Sequence, residues 1–253
     1  MKIQHYIDLI IVLTQKELKI RYKNSFFGYL WSIGHPLAFG FVFFVAFKVV
    51  MRVEVEDYAL FLIAGLFPWQ WFSNSVSAAP LLFLANTSVI KKVNFPRNLI
   101  PFTQVLQEMI HFVLTIPVIV LFLFIYHKSP SFSWLYGIPI LLVMQFLITY
   151  GISLLVSSAN LFFRDLERLS IIFTTLLFYF TPIIYPAEMI PREYRPLINL
   201  NPLSALMLSW RNLFLSGTLE LSYLTISLGY AMLSFVVGYL VYKKLSWKFA
   251  EVL

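Results

Sequence analysis

Long charge-free runs alternate with short charged ones along the whole chain. Windows without Asp, Glu, Lys or Arg occupy residues 24–47, 58–90, 109–127, 129–163, 169–187 and 221–242. A bilayer core about 30 Å thick takes about 20 apolar helical residues at 1.5 Å each. The windows therefore predict six spans, at 24–48, 58–85, 103–127, 136–161, 169–185 and 221–242. Each is predicted to be helical because lipid offers the backbone no hydrogen-bond partner. The fold class is an all-α integral membrane protein, one domain over residues 1–253.

The ends and breaks of these runs carry their own patterns. Residues 2–22 read as a helix lying in the membrane interface. On a 100° wheel Ile3, Tyr6, Ile7, Ile10, Ile11 and Leu18 share one face, with Gln4, His5, Asp8, Gln15, Lys16 and Lys19 opposite. Packing against a partner domain is the rival reading. Arg21, Tyr22 and Lys23 form a basic anchor, followed by Tyr29 and Trp31 at headgroup depth. Pro36 is predicted to kink the first span and Pro68 to break the second. After Pro68 the polar cluster Gln70, Ser73, Asn74 and Ser75 either glues helices together or lines a wet passage. Glu108 and His111 fall near the start of the third span, with Glu108 expected to face protein or headgroup water.

Between the fifth and sixth spans lie residues 186–217, of which the piece Leu197–Trp210 is apolar but too short to cross. They read as a re-entrant hairpin, a lid-like element with Pro186, Pro191, Pro196 and Pro202 at its corners and Arg211 closing the apolar piece.

Residues 86–101 interrupt two apolar runs with three cations, Lys91, Lys92 and Arg97, and no acid. Pro96 and Pro101 stiffen the segment, and Val89, Ile90, Val93 and Phe95 are expected to share one apolar surface. Such a knuckle suits docking to a cytoplasmic partner; an ordinary basic inner loop has the same composition. Arg164, Asp165, Glu167 and Arg168 form a second compact charged turn, read either as stapled by ion pairs or as a docking point.

Composition narrows the class. The chain is 60% hydrophobic, 18% aromatic and only 12% charged, with a mean hydropathy of +0.80, well outside the range of soluble domains. Its net charge of +7 is scattered between apolar runs, which suits an anionic leaflet and not nucleic acid. The chain has no cysteine, hence no thiolate metal site. With the N-terminus inside, 13 Lys and Arg fall on the inner segments and 6 on the outer, which predicts both termini in the cytoplasm. Charges at Asp8, Lys16, Glu17 and Lys19 argue against a cleavable signal peptide.

No nucleotide-binding glycine loop, zinc-protease helix, hydrolase elbow or paired-acid metal motif is present, so neither catalytic nor metal residues are expected. Energy for any transport then has to come from another chain. Aromatic residues are the positive sign: Phe39 and Phe43 on the first span, Phe178 and Tyr179 on the fifth. They suit a charge-free track for sugar rings, or plain helix packing and lipid contact.

The segments Lys19–Trp31 with His35-Pro36-Leu37, Ile90–Arg97 through Pro101, Phe162–Asp165, Thr181–Pro186, and Leu200–Pro202 with Arg211 resemble ABC-2-type polysaccharide export permeases. The O-antigen (Wzm-like) type is the best fit; capsule and teichoic acid permeases share most of the motifs. The resemblance implies a homodimer in the bacterial inner membrane, with two copies of a nucleotide-binding ATPase that holds ATP and Mg; this chain binds no cofactor. The implied cargo is a polyprenyl-diphosphate-linked glycan, lipid first. The resemblance makes Val89, Ile90, Lys91, Lys92, Val93, Phe95, Pro96 and Arg97 the ATPase coupling loop. It makes Tyr185, Pro186, Pro191, Pro202 and Arg211 the outer gate. Export of another lipid or a drug is the alternative, and a membrane glycosyltransferase a more distant one.

Overall fold

The computed structural model describes residues 3–22, 28–92, 95–198 and 200–252; Lys23 and Val93 lie outside them, and of Arg21 and Tyr22 only the helical backbone is described. Among the described residues every regular element is helical. In order they are α1 (Ile3–Tyr22), α2 (Trp31–Phe44, continued by a π-helical turn Val45–Val50), α3 (Tyr58–Ala78) and α4 (Leu82–Ala85). Next come α5 (Thr87–Lys92), α6 (Leu99–Ile125), α7 (Trp134–Asn160), α8 (Leu166–Phe180) and α9 (Arg195–Ile198), then α10 (Ser204–Ser216), α11 (Leu221–Leu245) and α12 (Phe249–Val252). Among the described residues four segments are long and apolar enough to cross a bilayer: Ile33–Val50, Leu99–Ile125, Trp134–Asn160 and Leu221–Lys248.

Helix α10 is the centre of the bundle. Its Leu206, Met207, Trp210, Leu213 and Phe214 are buried against α3, α7 and α11. Lipid tails are as apolar as these side chains, so close packing and internal hydrogen bonds must hold the helices together. Three buried indoles illustrate this: Trp71 Nε1–H donates to the Val105 carbonyl at 3.1 Å, Trp134 Nε1–H to Leu213 at 2.8 Å, and Trp210 Nε1–H to Gln145 Oε1 at 2.6 Å. Helices α7 and α11 approach until their backbones touch, at Gly151 and Gly238. A Cβ on Gly151 would overlap the Ser234 backbone, and one on Gly238 the Gly151 backbone.

Two expected breaks are absent. Helix α3 runs through Pro68 to Ala78. The Pro68 carbonyl accepts from Gln145 Nε2 at 2.6 Å, which ties α3 to α7 at this point; the carbonyl that the proline leaves without a helical donor is that of Ala64, four residues earlier. Likewise Arg211 does not close a segment. It lies inside α10 and is buried, because the protein supplies acceptors for it.

Candidate docking surface and transport path

At the end of the bundle that holds residues 86–101, a separate apolar cluster joins five parts of the chain: Leu13 of α1, Phe83 of α4, Ile90, Phe95 and Ile100 of the loop region, Leu161 after α7, and Phe249 of α12. The apolar side of the knuckle thus points inward, with Ile90 and Phe95 buried in this cluster. Lys91 and Lys92 are left exposed, and Val89, Pro96 and Arg97 half-buried. Hydrogen bonds tie the loop to both ends of the chain. Arg97 Nη1 donates to the Ser246 carbonyl at 3.2 Å with its guanidinium 6.0 Å from the Phe249 ring. The Asn98 N–H donates to Tyr242 Oη at 3.2 Å, and Lys16 Nζ donates to Asn86 Oδ1 at 3.1 Å. These contacts join the segment 86–101 to α1 and to the end of α11. Phe249, fully buried and 4.9 Å from Phe83, is a contact that the sequence pattern does not predict. Its signal is one aromatic just past the last basic cluster, and chain ends fray unless something holds them.

Arg164 and Asp165 are exposed. They precede α8, which starts at Leu166, so Arg164 and Glu167 do not share a helix face, and among the described residues they form no ion pair.

The four aromatic candidates, drawn from segments 140 residues apart, come together. Ring centroids lie 5.2 Å apart for Phe39 and Phe43, 5.3 Å for Phe43 and Phe178, and 5.3 Å for Phe178 and Tyr179. Trp69 backs Phe178 at 5.6 Å. Phe39 and Tyr179 are exposed at the two ends of this ladder, while Phe178 is buried between them.

Past α8 the backbone leaves helical geometry at Thr181, and its carbonyls are met one by one. Arg211 Nη1 donates to Pro182 and Nη2 to Ile183, both at 2.7 Å. Tyr58 Oη–H donates to Ile184 at 2.8 Å, and Tyr185 Oη–H to Tyr179 at 2.8 Å. The Arg211 guanidinium also lies 3.7 Å from the centroid of the Phe61 ring. Asn201 Nδ2 donates to Thr181 Oγ1 at 2.8 Å, and Asn201 Oδ1 accepts the Leu203 N–H at 3.0 Å around Pro202. Pro186 opens a 3-10 turn over Ala187–Met189. Pro191 lies in the next turn, its carbonyl accepting from Tyr194. The gate candidates are thus parts of one clamp centred on Arg211, with Pro191 at its margin.

Between α2, α3 and α6 lies a polar cavity of about 60 Å³. Gln70, Asn74, Glu108 and His111 meet there, with Phe67, Trp71 and Phe112 as walls. Asn74 Nδ2 donates to Glu108 Oε2 at 3.2 Å, and Glu108 and His111 are buried. Glu108 faces protein, and of the polar cluster after Pro68, Gln70 and Asn74 line this recess, with Asn74 also bonding α3 to α6. Among the described residues no three His, Cys, Asp or Glu side chains gather as a metal site.

An apolar helical bundle with exposed lysines at one end and a ladder of aromatic rings fits a membrane transport subunit. The chain belongs to the ABC-2 type transporter family, whose pattern it matches over residues 8–215. It is 49% identical to an O-antigen export system permease protein of Klebsiella pneumoniae over 97% of this chain and 95% of that one. A Myxococcus xanthus protein of the same description is 32% identical over 84% and 82% of the two chains. The polysialic acid transport protein of Escherichia coli is 24% identical over 74% of each.

Proposed function

We propose that this chain is the permease subunit of an ATP-driven exporter that moves a polyprenyl-diphosphate-linked polysaccharide of the O-antigen type across the bacterial inner membrane. The observation that carries this reading is the near full-length likeness to the Klebsiella permease. The aromatic ladder supports it physically: aromatic faces present apolar surface with few hydrogen-bonding groups, so a sugar chain can slide along them without being held. Two copies form the conduit, and each receives one ATPase subunit, which binds the ATP and Mg.

In this reading the chain crosses the membrane six times. The two spans beyond the four long helices are α3 with its continuation to Ala85, and α8 with the clamped turn after it. At 15 residues, α8 alone is about 22 Å long, short of a 30 Å core, and the Thr181–Tyr185 segment makes up the difference. Helix α1 lies in the inner interface, with Ile7, Ile11 and Val12 exposed to lipid and Leu13 turned to the protein. The segment 186–217 is a re-entrant gate at the outer side, and both termini are cytoplasmic.

Co-purification tests the assignment. The wild-type chain brings down an ATPase, and Lys91→Glu with Lys92→Glu weakens that association while leaving the permease monodisperse. An equally strong complex with the doubly reversed loop would overturn the docking role.

A further inference from the structure

We propose that the cavity between α2, α3 and α6 is a carbohydrate subsite, reading sugar hydroxyls in the half of the bundle nearest the docking end. This rests on the glycan-export reading above and adds to it a place of recognition. Glu108 is nine residues into α6, about 14 Å from that helix's start, and is buried. An ionisable side chain at such depth is costly unless it has work or partners there, and here a carboxylate, an imidazole and two amides converge on one recess.

The donor set selects the ligand. Glu108 accepts, Asn74 and Gln70 both donate and accept, and His111 does one at each ring nitrogen, which matches hydroxyl groups that also do both. Among the described residues that line the cavity there is no lysine or arginine, and its mixed donors and acceptors suit hydroxyls, which do both, better than a diphosphate, which only accepts. The size agrees. About 60 Å³ admits several water-sized groups but not a sugar ring. The ring must then lie across the mouth with its hydroxyls reaching inward. At that mouth stand Trp31, 52% exposed, and exposed His35, and an indole face stacks on the apolar face of a sugar. His35 in turn lies 6.2 Å from Phe39, nearly parallel to it. The subsite therefore opens onto the first ring of the aromatic ladder, the order a chain entering from the docking end would require.

The test compares two probes on the permease–ATPase complex in nanodiscs: the host's own polyprenyl-linked glycan, extracted from its membranes, and polyprenyl diphosphate bearing no sugar. The wild-type complex should bind the glycan-bearing lipid at least tenfold more tightly. Glu108→Gln, Gln70→Ala and Trp31→Ala should each cut that ratio severalfold, and Trp31→Phe should restore most of it. Gln70 and Trp31 are partly exposed, so their variants stay informative if Glu108→Gln fails to fold. An unchanged ratio in all three variants, or equal wild-type affinity for both lipids, overturns the subsite and leaves the export reading intact. A wild-type complex that neither binds nor moves the glycan-bearing lipid refutes the export reading itself.

Discussion

Removing the guanidinium of Arg211 should unlatch the turn after α8. In Arg211→Met, two carbonyls at 2.7 Å lose their donor and the Phe61 ring loses a cation at 3.7 Å. Hydrogen bonds to a charged group contribute about 1.5–3 kcal/mol each, and a desolvated cation–π contact about 2 kcal/mol. Opposing them is the cost of holding the guanidinium away from water, several kcal/mol, which methionine does not incur. The net loss is then set by the two stranded carbonyls, each worth about 1–3 kcal/mol, so we expect about 3 kcal/mol in all. Arg211→Lys should lose roughly half of that, since a point ammonium cannot bridge both carbonyls and stack as well.

Gly65 supplies an independent check. A Cβ there would lie 2.7 Å from Arg211 Nη2, so Gly65→Ala should displace the guanidinium at a cost of about 1–2 kcal/mol in the wild type and almost nothing in Arg211→Met, the non-additivity expected of contacting residues. Reversible unfolding in mixed detergent micelles measures all four proteins of the cycle. Stability within 0.5 kcal/mol of wild type for Arg211→Met, or an equal cost of Gly65→Ala in both backgrounds, would refute the latch.

Other consequences follow from the same geometry. Gly238→Val should prevent the α7–α11 contact and abolish stable expression, whereas Gly229→Ala, with open space around it, should leave the melting temperature unchanged. Phe249→Ala empties a fully buried site and should cost about 3–5 kcal/mol of local stability. It should appear as faster amide exchange in residues 95–100 and 246–252, with α7 protected as before. Phe43→Ala and Phe178→Ala break the ladder at its central contact and should slow glycan export severalfold in cells; full export from the double variant would remove the ladder from the path.

Much of this architecture is legible in the amino-acid order. Charge-free runs fall on α2, α3, α6, α7 and α11, because a charge inside lipid is costly and its absence over 20 residues is seldom accidental, though α6 begins at Leu99, ahead of its run, and α3 ends at Ala78, before its run does. Breaks are harder to read. Pro68 signals an end in isolation, yet α3 is packed on α2, α6, α7, α8 and α10 around it, and no local pattern reports that. Arg211 misleads for the same reason: its acceptors are carbonyls at 182 and 183, exposed only because α8 stops at Phe180. The knuckle at 86–101 shows its cations plainly, but which way its apolar side turns depends on Phe249 and Leu13 at the two chain ends. The aromatic candidates lie on separate helices, and only the fold joins Phe43 to Phe178.

The central claim is that this chain is a conduit driven from its docking end by a separate ATPase. Proteoliposomes containing the permease and its ATPase, loaded with the host's polyprenyl-linked glycan, measure it most directly. Glycan should reach the opposite leaflet only when both subunits and hydrolysable ATP are present, and Lys91→Glu with Lys92→Glu should suppress transfer while nucleotide still binds. Transfer or chemical modification of the glycan by the permease alone, without nucleotide, would contradict the account.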